Sequence, residues 1–266
     1  MAKGKSWTRE ELYLAMNLYC KIPFGSLHHT NLLIEAAAQK LGRTPSSVSM
    51  KLCNFASFDP RLKARGIRGL TAASRLDKEI WDEFNRNWNE AGTRSEEIFR
   101  KLLGQELDWQ NGIKIGRQIP KGRPILKSPP TVTEKESSIK VRIGQDFFRA
   151  TVLSSYGSRC CISGNPVPEL LIASHILPWS AHPEERLNPR NGLCLSCLHD
   201  AAFDRGLIGF DEERRLILSK YLEDYLSEKS IEQNFHAYQG QRMRFPEKFL
   251  PDQRFLQTHR KDIFRA

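Results

Sequence analysis

Residues 191–206, NGLCLSCLHDAAFDRG, set two cysteines, one histidine and two aspartates within eleven positions. Cys194, Cys197 and His199 have the residue types of a zinc site. Asn191, His199, Asp200 and Asp204 have the residue types of a hydrolytic site. A closed zinc site needs four ligands, and the other cysteines near in sequence are Cys160 and Cys161. Neighbouring cysteines on an extended segment point to opposite faces, so the two rarely bind one ion. Cys194 lies in the alternating run GLCLS, which reads as a buried small apolar position. This spacing argues against structural zinc.

The second reading gains a partner upstream. LLIASHILPW ends a strand pattern on His175, sixteen residues before Asn191. LHDAAFD reads as a short helix, on which Asp200 and Asp204 share a face. Two carboxylates on one face can converge on a hard cation, with water and a phosphate oxygen completing its shell. That oxygen-rich set favours Mg²⁺ or Mn²⁺ over zinc or nickel. An imidazole facing the same point can deprotonate water. Together these are the parts of phosphodiester hydrolysis.

The elements that must position these groups follow from pattern. In the second half, GQDFFRATVLSSYG reads as a helix closed by Gly157, and RCCISG and LLIASHILPW as short strands. GLIGF and RLILS form two further short strands around DEER, and the chain ends in helix and loop. The first half reads as helical. Thr8 with Glu11 has capping-box spacing before Leu12, Ala15, Met16 and Tyr19. NLLIEAAAQKLG gives a second helix, and Thr44 with Pro45 opens a third through PSSVSMKLCNF. Leu76, Ile80, Phe84 and Trp88 form the stripe of a fourth. LGRTPSSVSMKL admits two readings, a helix-turn-helix or a helical hairpin with a solvated face. Residues 40–70 carry seven Lys or Arg against one acid, Asp59, which favours DNA. Arg43, Ser47 and Lys51 are the candidate contacts there.

The chain has 266 residues, 39% hydrophobic and 27% charged, with a net charge of +10. Such a balance fits a globular protein that meets a polyanion. No apolar run reaches the roughly 20 residues of a membrane span. MAKGKSWTREE lacks a signal-peptide core, so the reading is cytoplasmic, without a membrane partner. Six cysteines in this length are not a disulfide framework. The organisation expected is a helical DNA-binding region over residues 1–108, a basic linker rich in Pro and Gly over 109–140, and a catalytic domain over 141–266.

RCCISG, ASHILPW, NPRNGLCLS, LHDAAFDRGLIGF and the terminal HRKDIF, in this order, resemble the HNH endonucleases, in particular the restriction-type branch. The resemblance covers roughly residues 141–266 and implies a ββα-metal fold, making the whole chain α+β. It implies that His175 is the general base and that Asn191 fixes the loop and the orientation of His175. Asp200 falls at the family's final-histidine position, with Asp204 one turn later. Two departures stand out. Ser174 replaces an acidic or histidine ligand, and the final histidine has become Asp200 with His199 one position earlier. The metal set expected is Asp200 and Asp204, with His199 as a substitute ligand or phosphate contact. Arg205 and Arg190 are candidate phosphate contacts, each with a surface-arginine alternative. His259 reads as structural.

The function expected is metal-dependent endonucleolytic cleavage of double-stranded DNA, in restriction or phage defence. A homodimer is compatible, because one such site cuts one strand at a time. Two alternatives remain open at this level. One is a non-specific nuclease effector controlled by a partner. The other is a non-catalytic DNA-binding regulator with a degenerate HNH fold.

Overall fold

The computed structural model describes residues 6–67, 73–104, 107–108, 113–114, 132–225 and 227–266, without side chains for 107–108, 113–114 and 132–140. The chain divides into two compact units, residues 1–58 with 69–150, and residues 59–68 with 151–266. Most of the sequence read as a linker, residues 109–140, lies outside the described residues.

The first unit is helical: α1 (Arg9–Lys21), α2 (Leu32–Leu41), α3 (Pro45–Ala56), then α5 (Arg75–Arg86) and α6 (Trp88–Leu103) after the short α4 (Pro60–Ala64) of the second unit. Two-residue strands β1 (Leu107–Asp108) and β2 (Ile113–Lys114) pair antiparallel, and α7 spans Val132–Ser155. Thr8 and Glu11 form the reciprocal capping box of α1. Gly42, at φ +60°, ends α2 in the left-handed conformation that glycine adopts without cost. Thr44 then caps α3 with Pro45 in its first turn.

The stripe predicted as one helix is divided. Asn87, at φ −149°, ends α5 and caps α6, so Trp88 begins a separate 16-residue helix. The sequence hid α6 because the buried face of WNEAGTRSEEIFRKLL includes Gly92, Ser95 and Glu96. These polar residues serve a buried network. Asn17 donates to Ser95 Oγ and Glu96 Oε2, both at 3.0 Å, and Lys21 pairs with Glu96 at 2.5 Å with both side chains almost fully buried. Burial pulls the Lys21 ammonium below its ordinary range, and the adjacent Glu96 carboxylate opposes that shift.

In the second unit, β3 (Leu171–His175) pairs antiparallel with β4 (Gly192–Ser196), matching Ser174 to Leu193 and His175 to Gly192. α8 (Cys197–Asp204) follows β4 directly, capped by Ser196. β5 (Ile208–Phe210) and β6 (Leu216–Leu218) form a second hairpin, followed by α9 (Lys220–Glu223), α10 (Lys229–Asn234) and α11 (Gln253–Asp262). RCCISG is a turn, not a strand. Cys160 accepts from Gly164 N–H at 2.9 Å and donates its own N–H to Asn165 at 3.0 Å. Gly164 (φ +73°) and Pro166 favour that turn over extension. The second strand of the ββα unit is therefore GLCLS, buried along its whole length.

The C-terminal helix fixes the end of α8. Arg265 N–H donates to the Gly206 carbonyl at 2.9 Å, and His259 Nε2 lies 3.1 Å from the Phe203 carbonyl with its ring stacked on Phe203 at 3.7 Å. A Cβ at Gly206 would sit 2.0 Å from the Ile263 carbonyl oxygen, and φ there is +68°. Only glycine meets both constraints. Among the described residues no helix is long and apolar enough to cross a membrane.

Candidate active site

The ββα unit brings the end of β3 against one face of α8. The cleft there, about 430 Å³, is lined by Ser174, His175, Trp179, Asp200, Asp204 and His259 among others. Residues separated by 29 positions thus meet because β3 pairs with β4 and β4 runs straight into α8.

His175 is half-buried at the last position of β3. Its Nε2 lies 2.9 Å from the Arg186 carbonyl oxygen, which can only accept, so Nε2 carries the proton and the lone pair is on Nδ1. Trp179 meets the imidazole edge to face at 5.3 Å. The Arg186 guanidinium lies over the Trp179 ring at 4.9 Å, and its Nε donates to the Trp179 carbonyl at 2.9 Å. Arg186 therefore holds both the imidazole, through its carbonyl, and the ring that packs on it. Burial lowers the His175 pKa; the Arg186 carbonyl opposes this and the Arg186 charge adds to it. The imidazole is neutral near pH 7, the form that accepts a proton.

Asn191 is buried and ties the loop closed. Its Oδ1 accepts from Leu177 N–H at 2.8 Å and its Nδ2 donates to the Glu185 carbonyl at 3.2 Å. Its own carbonyl accepts from Ile176 N–H at 2.9 Å. These bonds bracket the chain on both sides of the turn that leaves His175. The Asn191 side chain has no place in the cleft lining.

The helix carboxylates face each other. Burial raises the pKa of Asp200, while Ser174 and Arg205 pull it back. Burial also raises Asp204, and the Asp200 charge raises it further, against the pull of Arg205. Ser174 Oγ is buried beside Asp200 and acts on its carboxyl, although the pair falls short of good hydrogen-bond geometry. Two neighbouring carboxylates raised by burial, Asp204 also by the Asp200 charge, beside a buried hydroxyl, have the chemistry to hold a hard cation. Among the described residues no three His, Cys, Asp or Glu side chains stand close enough to hold a metal ion together, so the two aspartates alone would supply an open partial shell.

His199 is not brought to this cleft. It faces the other side of α8, buried, with Nε2 at 2.8 Å from the Asn234 carbonyl and Nδ1 at 2.8 Å from Ser196 Oγ and 3.5 Å from Cys160 Sγ. Phe235 and Tyr238 meet its ring edge to face at 5.5 and 6.0 Å. Consecutive helical residues point about 100° apart, so Asp200 in the cleft places His199 in the core. Cys160, Cys161 and Cys194 are buried, whereas Cys197 is exposed and its thiol donates to the Leu170 carbonyl at 3.3 Å.

The candidate DNA contacts fall in different settings. Lys51 reaches both carboxylate oxygens of buried Asp77 at 2.9 Å. Arg43 pairs with Glu11 at 2.8 Å, donates to the Ser6 carbonyl and lies over Trp7 at 4.0 Å. Both cations are thus engaged inside the first unit. Ser47 sits in the first turn of α3, its N–H capped by Thr44 at 3.2 Å. Arg205 is exposed at the end of α8, donating to the Ala201 carbonyl at 2.9 Å and acting on both cleft carboxylates. Arg190 is half-buried, its carbonyl accepting from Asp252 N–H at 3.0 Å.

Sequence reasoning missed the Arg186 carbonyl and the cleft-lining position of His259. A carbonyl has no residue-type signal. HRKDIF marked His259 as structural, and its bond to Phe203 supports that role even as its ring edges the cleft.

No curated protein matches the chain. Residues 160–211, from the turn before β3 through β5, match the family model described as HNH endonuclease.

Proposed function

We propose that the chain is a metal-dependent endonuclease that hydrolyses phosphodiester bonds of double-stranded DNA. The observation that carries this reading is the convergence of His175, Asp200 and Asp204 on one cleft within the HNH match. His175 is the general base. Neutral and tautomerically fixed by the Arg186 carbonyl, it takes the proton of a water molecule at Nδ1. Asn191 holds the loop that sets the imidazole's direction. Asp200 and Asp204, with Ser174 Oγ beside them, would hold Mg²⁺ or Mn²⁺, which supplies charge stabilisation to the phosphate and the leaving oxygen. Arg205 is placed to offset negative charge at the same edge. A role in restriction or phage defence is the setting proposed for this activity, by analogy with the restriction-type branch. The helix-turn-helix-like α2–α3 pair is the proposed DNA grip of the first unit, through Ser47 and neighbouring exposed positions of α3.

The test is nicking of supercoiled plasmid with Mg²⁺ or Mn²⁺, with and without chelator, by wild type and His175→Ala. Metal-dependent nicking that disappears in the variant is the expected result. A folded wild type that nicks under neither metal overturns the enzymatic reading in favour of a non-catalytic DNA-binding protein. Discrete bands from a plasmid separate a site-selective enzyme from a non-specific effector, which yields a smear.

A further inference from the structure

Arginines crowd one region of the second unit away from the cleft. The Phe245 ring lies between two guanidiniums, Arg61 at 5.1 Å and Arg214 at 6.0 Å. Main-chain carbonyls, not carboxylates, hold these groups. Arg61 Nε donates to the Pro246 carbonyl at 3.2 Å, Arg65 Nη1 to the Glu247 carbonyl at 3.3 Å, and Arg214 Nη2 to the Pro251 carbonyl at 3.2 Å. The same segment borders a pocket of about 490 Å³ lined by Tyr156, Arg159, Arg244, Phe245 and Glu247, among others. Arg159 Nη1 donates to the Gly164 carbonyl at 3.3 Å, and Arg244 Nη1 lies 3.7 Å from where a Gly164 Cβ would stand. The two exposed guanidiniums therefore converge on one turn. No residue of this pocket lines the cleft.

Among the described residues none of these five arginines has a carboxylate within ion-pair distance. Like charges gathered without a direct ion pair are unfavourable, and the crowding shows electrostatically. Burial, then Arg65, lowers Arg61 against the pull of Asp59, while burial and the charges of Arg61 and Arg242 lower Arg214, against the pull of Tyr156 and Asp252. Each carbonyl bond occupies one of the five N–H donors of a guanidinium, leaving most of the fork for an anion. The planar fork matches two oxygens of a phosphate.

We propose that the pocket framed by Arg159, Arg244 and Phe245 is a second phosphate-binding site, which grips the DNA backbone away from the phosphate being cut. The site rests on the nuclease reading for its ligand, though not on catalysis. Arg159 and Arg244 reach phosphate oxygens, while Arg61, Arg65 and Arg214 set a positive potential behind them. The chemistry recognised is a phosphodiester, so the grip is independent of base sequence.

The test measures binding of a fluorescent duplex oligonucleotide to the full chain in chelator, across a salt series. In Arg159→Ala/Arg244→Ala, two lost phosphate contacts lower the log–log salt slope by about 2 and weaken binding by ~10-fold or more near physiological salt. Arg159→Lys/Arg244→Lys restores most of the slope, because a point charge still pairs with phosphate. Both arginines are exposed, so the melting temperature stays at the wild-type value. A salt slope equal to wild type in the alanine variant overturns the proposal. So does saturable binding of a deoxynucleoside monophosphate that the alanine variant loses while its duplex slope is unchanged, which would make this a mononucleotide pocket. Because binding is read without metal, a wild type that never nicks DNA leaves this test intact.

Discussion

The two units treat charge in opposite ways. In the first, each buried cation meets an acid: Lys21 meets Glu96, Arg43 meets Glu11, and Lys51 meets Asp77. In the second, beside ion pairs such as Arg260–Glu212 and Arg254–Asp252, like charges also stand together, with Asp200 beside Asp204 in the cleft and arginines around Phe245. Paired buried charges fix a fold and are costly to break. Unpaired like charges add nothing to folding, and these are the places where the proposed cation and the proposed phosphate would bind. The basic excess of residues 40–70 is therefore a poor guide to DNA contact in α3, since its Lys51 and the preceding Arg43 are consumed internally.

The largest expected effect lies in the cleft. His175→Ala removes the general base and lowers the nicking rate by ~10²–10⁴-fold, with the melting temperature nearly unchanged. A variant that cuts at the wild-type rate would remove the cleft from the comparison. The counterpart in the first unit is Lys51→Ala, which leaves Asp77 buried and unpaired and destabilises that unit by about 3–5 kcal/mol in denaturant titration. If this variant instead keeps its stability and loses DNA affinity, Lys51 belongs to a DNA surface and the contrast between the units fails.

Proton linkage gives a third handle. Burial holds His259 neutral with a pKa of about 4, opposed by its bond to Phe203 and reinforced by Arg260. The unfolded imidazole titrates near 6.5, so the unfolded chain binds the extra proton between these values. Stability is full above pH 6.5 and declines as pH falls toward about 4, by on the order of 3 kcal/mol from this group. His259→Gln flattens that part of the profile. The rate has its own acid limb, because His175 must be neutral and Asp200 and Asp204 ionised. With His175 lowered, the His175 limb falls below the ordinary histidine value of 6.5. The smallest effect is expected at the join of α8 and the C-terminal segment. Gly206→Ala forces a Cβ against the Ile263 carbonyl and costs about 1–3 kcal/mol, read as a lower melting temperature.

Much of the site was legible in the sequence because its spacing is set locally. Asp200 and Asp204 share a face by helical geometry alone, and His175 at a strand end follows from LLIASH. The identity of the inward residue at positions 199 and 200 was not legible. It depends on which face of α8 packs on Phe235 and Tyr238, residues more than 30 positions downstream. The turn at RCCISG was missed for a related reason. Its apolar residues are buried by β4 and the segment near Arg244, not by a strand pairing of their own. In the first unit, caps were readable from single residues, whereas α6 sets Ser95 and Glu96 on the same face as Trp88, Ala91, Ile98 and Phe99, which interrupts an apolar stripe that is nevertheless present in the sequence.

The adjacent pair on α8 offers the most direct test of the cleft. Mn²⁺ binding by calorimetry and plasmid nicking should be measured on wild type, Asp200→Asn and His199→Gln. Asp200→Asn is expected to lose both Mn²⁺ binding and nicking while keeping its melting temperature, and His199→Gln to melt earlier while still binding Mn²⁺. Loss of Mn²⁺ binding in a folded His199→Gln, with binding retained in Asp200→Asn, would contradict the placement of the cleft on the aspartate face of α8.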